Sequence, residues 1–249
     1  MILFGKKSKT PPRDKKGAVT VIIAAAGSGS RLGGASKPLM LLCGRHAIEY
    51  SLDVFSSLEE VTRIIISTRS EDISAYEKIV ADGGYSKVSA VIEGGSTRQE
   101  SVTKAFRHAF SEKICDFVAI HDAARPLITE AAVSKALSEA REYGCAVCAS
   151  LCPDTVKRAT ASGFIGEAVD REGLYLIGTP QIFSYEIYQT SVAVAERDGF
   201  EGTDDSSVVE HAGFKVKLCE TSRNNIKITY PGDAELAEMI IESRRKSGK

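Results

Sequence analysis

Three short segments of this 249-residue chain combine charged or hydroxyl side chains with glycine or a strand end, and each follows an apolar run. In the first, AAAGSGSRLGGASK from Ala24 to Lys37, glycines end the run AVTVIIAAA and two cations, Arg31 and Lys37, sit among them. A glycine-rich turn lets backbone N–H groups approach phosphate oxygens closely. Two common phosphate loops are excluded by register. Gly27, Gly29 and Gly33 give GxGxxxG where a dinucleotide loop needs GxGxxG, and no Gly-Lys-Ser/Thr follows as a P-loop requires. What remains is either an extended loop suited to wrapping a triphosphate or a surface turn with two solvated cations.

In the second segment, AIHDAARP, the run DFVAI delivers His121 and Asp122 to the C-terminal end of a strand, the edge where open α/β sheets bind ligands. Asp122 can hold a cation there, because Mg²⁺ takes one or two carboxylates and fills its other positions with phosphate oxygens and water. The alternative is a helix cap for the segment TEAAV. Arg125 suits an anionic substrate, and His121 is expected to be structural. In the third segment, EGGSTRQESV, Gly94 and Gly95 expose backbone groups while Ser101 offers a hydroxyl one helical turn beyond Arg98. Such a corner matches the amine donor and two acceptors of cytosine, although a plain strand-to-helix turn explains the glycines equally well.

These loops need a scaffold, and from Ala18 the pattern alternates strand and helix. After AVTVIIAAA come a helix from about His46, with Ile48, Leu52 and Phe55 at helical spacing, the strand VTRIIIST, the helix EDISAYEKIVADGG and the strand KVSAVIEGG. TRQESVTKAFRHAFS, DFVAIHD, TEAAVSKALSEAREYG and CAVCASLC continue the rhythm. The expected class is α/β with a mostly parallel central sheet, its strand order not readable. Between Thr155 and Arg171 the rhythm breaks into a hairpin too poor in large apolar residues for a core of its own, so it packs on the sheet or projects to a partner chain. Two helices, the strand FKVKLCE and a terminal helix, PGDAELAEMIIESRRK, complete the chain.

Composition narrows the classes. The net charge of −1 leaves no global basic field for nucleic acid, and the chain is 43% hydrophobic and 26% charged, as globular domains are. Residues 1–17 hold six cations against one Asp and read as a flexible basic tail before a single domain over 18–249. No apolar run reaches the roughly 18 residues of a membrane helix, and MILFGKKSKT is not a signal peptide, so a cytoplasmic location is expected. Cys145, Cys148 and Cys152 resemble a metal cluster, but along a strand Cys145 and Cys148 point oppositely and no second CxxC completes a set; packing thiols are expected.

In order, AAAGSGSRLGGASK, GGSTRQESV, HDAARP, DTVKR, DREGLYLIGTPQ, TDDSSVVEHAG and NNIKITYPGD resemble the signatures of the 2-C-methyl-D-erythritol 4-phosphate cytidylyltransferase family. The resemblance runs from about Ala18 to the terminal helix. It implies a Rossmann-like nucleotidyltransferase that moves CMP from CTP to methylerythritol phosphate in non-mevalonate isoprenoid synthesis. It also implies a homodimer embraced by a β-arm at about 153–173. Carried over by position, Ala25, Ala26, Gly27 and Gly29 resemble the triphosphate cradle, and Arg31 and Lys37 the cations on the transition state. Gly95 and Ser101 resemble cytosine readers supported by Arg98, with Ala123 near the nucleotide and Asp122 the Mg²⁺ ligand. Arg125, Thr179, Thr203 and Lys227 resemble acceptor-binding residues, Lys227 on the attacking phosphate, and Thr155 and Arg171 would arrive from the partner's arm. Two rivals are a ribitol 5-phosphate cytidylyltransferase and a nucleotide-binding protein of the same fold without turnover. Ala123-Ala124 leans against the first; Arg31, Lys37, Asp122 and Lys227 together oppose the second. The short remainder after the terminal helix suggests no second catalytic domain of the kind fused to some relatives.

Overall fold

The computed structural model describes residues 14–27, 37–112 and 114–247, with Lys37 and Glu112 described by backbone alone. In chain order the elements are β1 (Val19–Ala24), a two-residue-strand hairpin of β2 (Leu41–Leu42) and β3 (Arg45–His46), α1 (Ala47–Ser57), β4 (Val61–Thr68), α2 (Ile73–Gly83), β5 (Val88–Glu93), α3 (Arg98–Glu112), β6 (Phe117–Asp122), α4 (Glu130–Tyr143) and β7 (Cys145–Leu151). There follow β8 (Val156–Ala159), β9 (Ile165–Val169), β10 (Tyr175–Ser184), α5 (Tyr185–Asp198), α6 (Asp205–His211), β11 (Lys217–Glu220) and α7 (Pro231–Ser247).

Among the described residues, seven strands form one sheet in the order β11-β7-β10-β6-β1-β4-β5. Every neighbouring pair is parallel except the two made by β10, which runs against both β6 and β7. The class is therefore the mostly parallel α/β sheet expected from the alternation. Both faces are buried, which is why the strands read as unbroken apolar runs. Along β1, Val19, Val21 and Ile23 face a core shared with α1, α2 and α4, and Ile22 faces a second core shared with α3 and α5. Helix ends follow their local chemistry. Thr129 caps α4 by accepting from Ala132 N–H at 3.3 Å, and Gly144, in the left-handed region at φ 83°, closes it.

The chain runs outward from β1 to β4 and β5, then returns to place β6 on the other side of β1. Such a reversal opens a crevice at the C-terminal strand ends. Here Ala24 of β1 and Asp122 of β6 stand in register, and Ala123 N–H donates to the Ala24 carbonyl at 3.0 Å.

Three features depart from or extend the sequence reading. β10 was not expected, because Gly178 and Pro180 interrupt its pattern; the structure absorbs them in an irregularity of the β7 pairing between Ile177 and Gln181. Residues 14–17, counted with the tail, are pinned to the fold. Asp14 N–H donates to the Ile114 carbonyl at 2.7 Å, and Gly17 N–H to an Asp116 carboxylate oxygen at 2.6 Å. The remaining tail residues lie outside the described ones. Cys145 and Cys148 do face opposite cores, and Cys148 stands in register with Cys219 of β11; all six cysteines are free thiols. The break in rhythm is an antiparallel β8–β9 hairpin whose Phe164 and Ile165 are 73% and 78% exposed.

Candidate active site

Asp122 ends β6 at the floor of an open cleft of about 450 Å³, and cations reach it from separate elements. Arg98, the first residue of α3, donates Nε–H to Oδ1 at 3.0 Å, and Lys227 donates from Nζ to Oδ2 at 2.7 Å. Arg125 brings its Nε within 3.8 Å of Oδ2. Burial works against the charge on Asp122, but Arg98 and Lys227 outweigh it and hold the carboxyl well below the usual carboxylate range. Asp122 caps no helix, since Thr129 serves α4.

The neighbouring groups fix this arrangement. Asp122 N–H donates to Thr179 Oγ1 at 3.1 Å, so the irregular stretch of β10 lies directly against the strand end. Thr179 Oγ1 is also 3.0 Å from His121 Nδ1, and His121 Nε2 is 3.2 Å from the Arg125 carbonyl. The network closes with the threonine hydroxyl donating to Nδ1 and Nε2–H donating to that carbonyl. Burial lowers the imidazole to about 4, so His121 is neutral and structural. Arg125 donates Nη1–H to the Asn225 carbonyl at 2.8 Å, and Asn225 donates Nδ2–H to the Thr179 carbonyl at 2.8 Å.

A second cleft, of about 350 Å³, opens between the ends of β4 and β5, lined by Ala26, Thr68, Arg69, Gly94, Gly95 and Lys104 among others. Its wall is a pinned glycine loop. Lys104 donates to the Gly94 carbonyl at 2.9 Å, and Ser101 Oγ accepts from Gly95 N–H at 2.9 Å while donating to the Thr97 carbonyl at 2.8 Å. The Ser101 hydroxyl is thus buried beneath the loop rather than presented at its surface. Thr97 caps α3 by accepting from Glu100 N–H at 3.1 Å, and Glu100 accepts in return from Ser96 N–H at 2.7 Å.

A family model described as 2-C-methyl-D-erythritol 4-phosphate cytidylyltransferase matches residues 19–243. The chain belongs to that family. It is 35% identical over 224 residues to the enzyme of that name from Clostridium botulinum, spanning 90% of this chain and 97% of the relative. The counterpart from Caldanaerobacter subterraneus is 36% identical over 225 residues, spanning 90% and 98%. Among solved structures, the family member from Thermus thermophilus superposes with a TM-score of 0.75 at 29% identity, covering 90% of this chain and 99% of that one.

Within this cytidylyltransferase fold, the expected residues divide into two clefts. Asp122, Arg125, Thr179, Thr203 and Lys227 line the first, and Ala26 and Gly95 the second. Ala25 and Ala123 are buried at the strand ends between them, and Gly27 lies exposed just beyond. Arg98 departs from expectation. It was placed with the base-reading corner, but its side chain turns the other way, toward Asp122 and Asp205, while Ser101 one turn later supports the glycine loop. Thr155 and Arg171 are exposed at the base of the hairpin, where Arg171 donates to the Pro153 carbonyl at 3.3 Å, and line neither cleft. Gly29 and Arg31 lie outside the described residues, as does the side chain of Lys37; its backbone opens a 3-10 turn in which Pro38 is buried. Sequence reasoning missed Asp205, Gln181 and Asn225. Only the doubled aspartate of TDDSS hinted at the first, since one carboxylate suffices to cap α6.

Mg²⁺ fits this site in one way. Among the described residues no group of three His, Cys, Asp or Glu side chains converges as a metal cage. Asp122 is an ionised hard-oxygen donor at the cleft floor, adequate only where phosphate oxygens complete the sphere.

Proposed function

We propose that this protein transfers CMP from CTP to 2-C-methyl-D-erythritol 4-phosphate, releasing pyrophosphate, in non-mevalonate isoprenoid precursor synthesis. The observation that carries the reading is Asp122 at the switch point of the sheet, ringed by Arg98, Arg125 and Lys227, in a chain about one-third identical to enzymes bearing that name. The acceptor's phosphate oxygen attacks the α-phosphorus of CTP, and the bond from that phosphorus to the oxygen bridging to the β-phosphate breaks as pyrophosphate leaves. With a second pKa near 6, the acceptor phosphate is mostly dianionic at neutral pH, so no general base is needed. The neutral, enclosed His121 agrees with a site that moves no proton.

The obstacle is to bring a dianion onto a polyphosphate. Lys227 is 43% exposed, so Nζ can turn from the Asp122 carboxylate to the incoming phosphate while Arg98 and Arg125 stay beside that carboxylate. Arg125, tied to backbone carbonyls on one edge, orients the acceptor beside Thr179 and Thr203. Arg31 and Lys37 neutralise the nucleotide's phosphates from the loop after β1, with Ala25, Ala26, Gly27 and Gly29 as the cradle. The second cleft takes the base at the Gly95 backbone, held in shape by Ser101. Asp122 would hold Mg²⁺, which when bound would supply positive charge to the triphosphate. Thr155 and Arg171 reach the acceptor of the neighbouring subunit in a homodimer, and the reducing cytoplasm keeps the free thiols reduced. No nucleic acid or membrane partner is assigned, and no described helix is long and apolar enough to span a bilayer.

The test is to incubate the protein with CTP, Mg²⁺ and methylerythritol phosphate and follow pyrophosphate and the diphosphocytidyl product. Turnover that prefers this acceptor in competition with ribitol 5-phosphate is expected. A strong preference for ribitol phosphate, or no pyrophosphate with either acceptor, overturns the reading.

A further inference from the structure

Arg98 does not spend its guanidinium on Asp122 alone. Its Nη1 donates at 2.7 Å to Oδ2 of Asp205, and Asp205 Oδ1 in turn accepts from the Tyr188 hydroxyl at 2.9 Å. Asp205 is 1% exposed and Tyr188 also 1%. The carboxylate is not needed as a helix cap, because Asp204 already accepts from Ser207 N–H at 3.0 Å at the start of α6. The tyrosine ring cannot swing away. It stacks on Phe183 with centroids 5.2 Å apart and meets Phe106 edge-on at 5.0 Å, deep in the core under α3 and α5.

We propose that Tyr188 and Asp205 are positioning residues for cytidylyl transfer, forming a relay from the aromatic core through Arg98 that keeps Arg98 on one oxygen of Asp122 and leaves the other to the exchangeable Lys227. The geometry gives the reason. A guanidinium facing a lone carboxylate favours the two-pronged pair that occupies both oxygens. By holding Nη1, Asp205 fixes the plane of the guanidinium so that Arg98 meets Asp122 through Nε at Oδ1, and Oδ2 is left to Lys227, which is exposed enough to be exchanged, with Arg125 Nε farther off at 3.8 Å. Tyr188 fixes which Asp205 oxygen faces the arginine. Stability alone is a weak reason to keep such a chain, since buried ion pairs replaced by apolar groups of like volume are often neutral or stabilising. The inference rests on the cytidylyl-transfer reading for the identity of the reaction, not for the relay itself.

Tyr188→Phe keeps the ring and removes the one donor. The expected result is a kcat lower by about tenfold, of the order of one hydrogen bond to a charged group, with KM for CTP and for the acceptor within about twofold. In an Arg98→Lys background the same change costs less than about twofold, because the relay is already cut. Independently of turnover, the Arg98 Nε–H cross-peak in a ¹H–¹⁵N spectrum, assigned as the one lost in Arg98→Lys, shifts or broadens in Tyr188→Phe and in Asp205→Asn. An unmoved cross-peak in folded Tyr188→Phe, or a full tenfold loss in both backgrounds, overturns the relay. If the parent protein transfers no CMP at all, the functional reading falls and the cross-peak alone decides the relay.

Discussion

Asp122 is held well below the usual carboxylate range by Arg98 and Lys227, and burial lowers His121 to about 4, so neither changes charge as pH falls from 8 to 5. The acid limb of kcat/KM should then belong to the acceptor phosphate, flat above pH 7 and falling up to about tenfold per unit below roughly pH 6 as the dianion is protonated. An acceptor analogue with a more acidic phosphate should move the limb downward by the same amount; an unmoved limb would assign it to the protein. Asp122 was legible from its sequence because an apolar run that stops at His-Asp announces a strand end, and strand ends of parallel sheets face ligands. Arg98 was not, because the first residue of a helix can send a long side chain to either flank, and only the distant Asp205 decides which. Thr68 offers a second test. Among the described residues its hydroxyl is buried without a hydrogen-bond partner, at the end of β4 beside the second cleft. Thr68→Val keeps the branched shape and should raise the stability of the free protein by about 1 kcal/mol, seen as a higher urea midpoint with an unchanged m-value. A lower midpoint would mean the hydroxyl has a partner in solution.

Among the elements, periodicity found most strands and helices because each buries a continuous face, but it passed over β10, where Gly178 and Pro180 sit inside the run. That strand is the one antiparallel member of the main sheet, and it brings Thr179 onto Asp122 and Gln181 onto the cap of α6. A strand that pairs irregularly in order to deliver side chains to a site is the kind that hydrophobic pattern cannot see. The glycine loop after β5 was legible as a turn, yet its tolerance was not. A Cβ on Gly94 would stand 2.7 Å from Ser101 Oγ and 2.9 Å from the Cβ of Ala26, so it would press the loop against the segment leaving β1. Ala26 lines the second cleft and Ser101 clasps the loop that walls it, and neither can yield without moving a strand end or that clasp. Gly94→Ala is therefore expected to raise KM for CTP by about tenfold or more, with KM for the acceptor little changed. Steady-state kinetics with each substrate varied in turn checks this, and equal effects on both KM values would separate the second cleft from the nucleotide.

At the scale of the whole molecule, one chain leaves its apolar accounting open. The hairpin of β8 and β9 presents Phe164 and Ile165 to solvent, and Leu176 and Ile177 at the base of the arm are 54% and 41% exposed. Apolar side chains gathered on a projecting element mark a contact with another chain, and a two-stranded hairpin has too little core to stand alone. The break in rhythm made the hairpin legible, but the spacing of one chain could not say which site Arg171 serves, and the residue lines neither cleft of its own subunit. In the proposed homodimer each site takes Lys227 from one subunit and Arg171 from the other. Arg171→Ala and Lys227→Ala homodimers should then each be nearly inactive. After the two are mixed and allowed to exchange subunits, half the dimers are mixed, and each of these contains one site with both residues intact. Activity should recover to about a quarter of the parent's, as random exchange between isologous dimers requires. Recovery to that level places Arg171 in the neighbour's site. Two active single variants, or none regained after exchange is verified by mass, would return the arm to its own subunit.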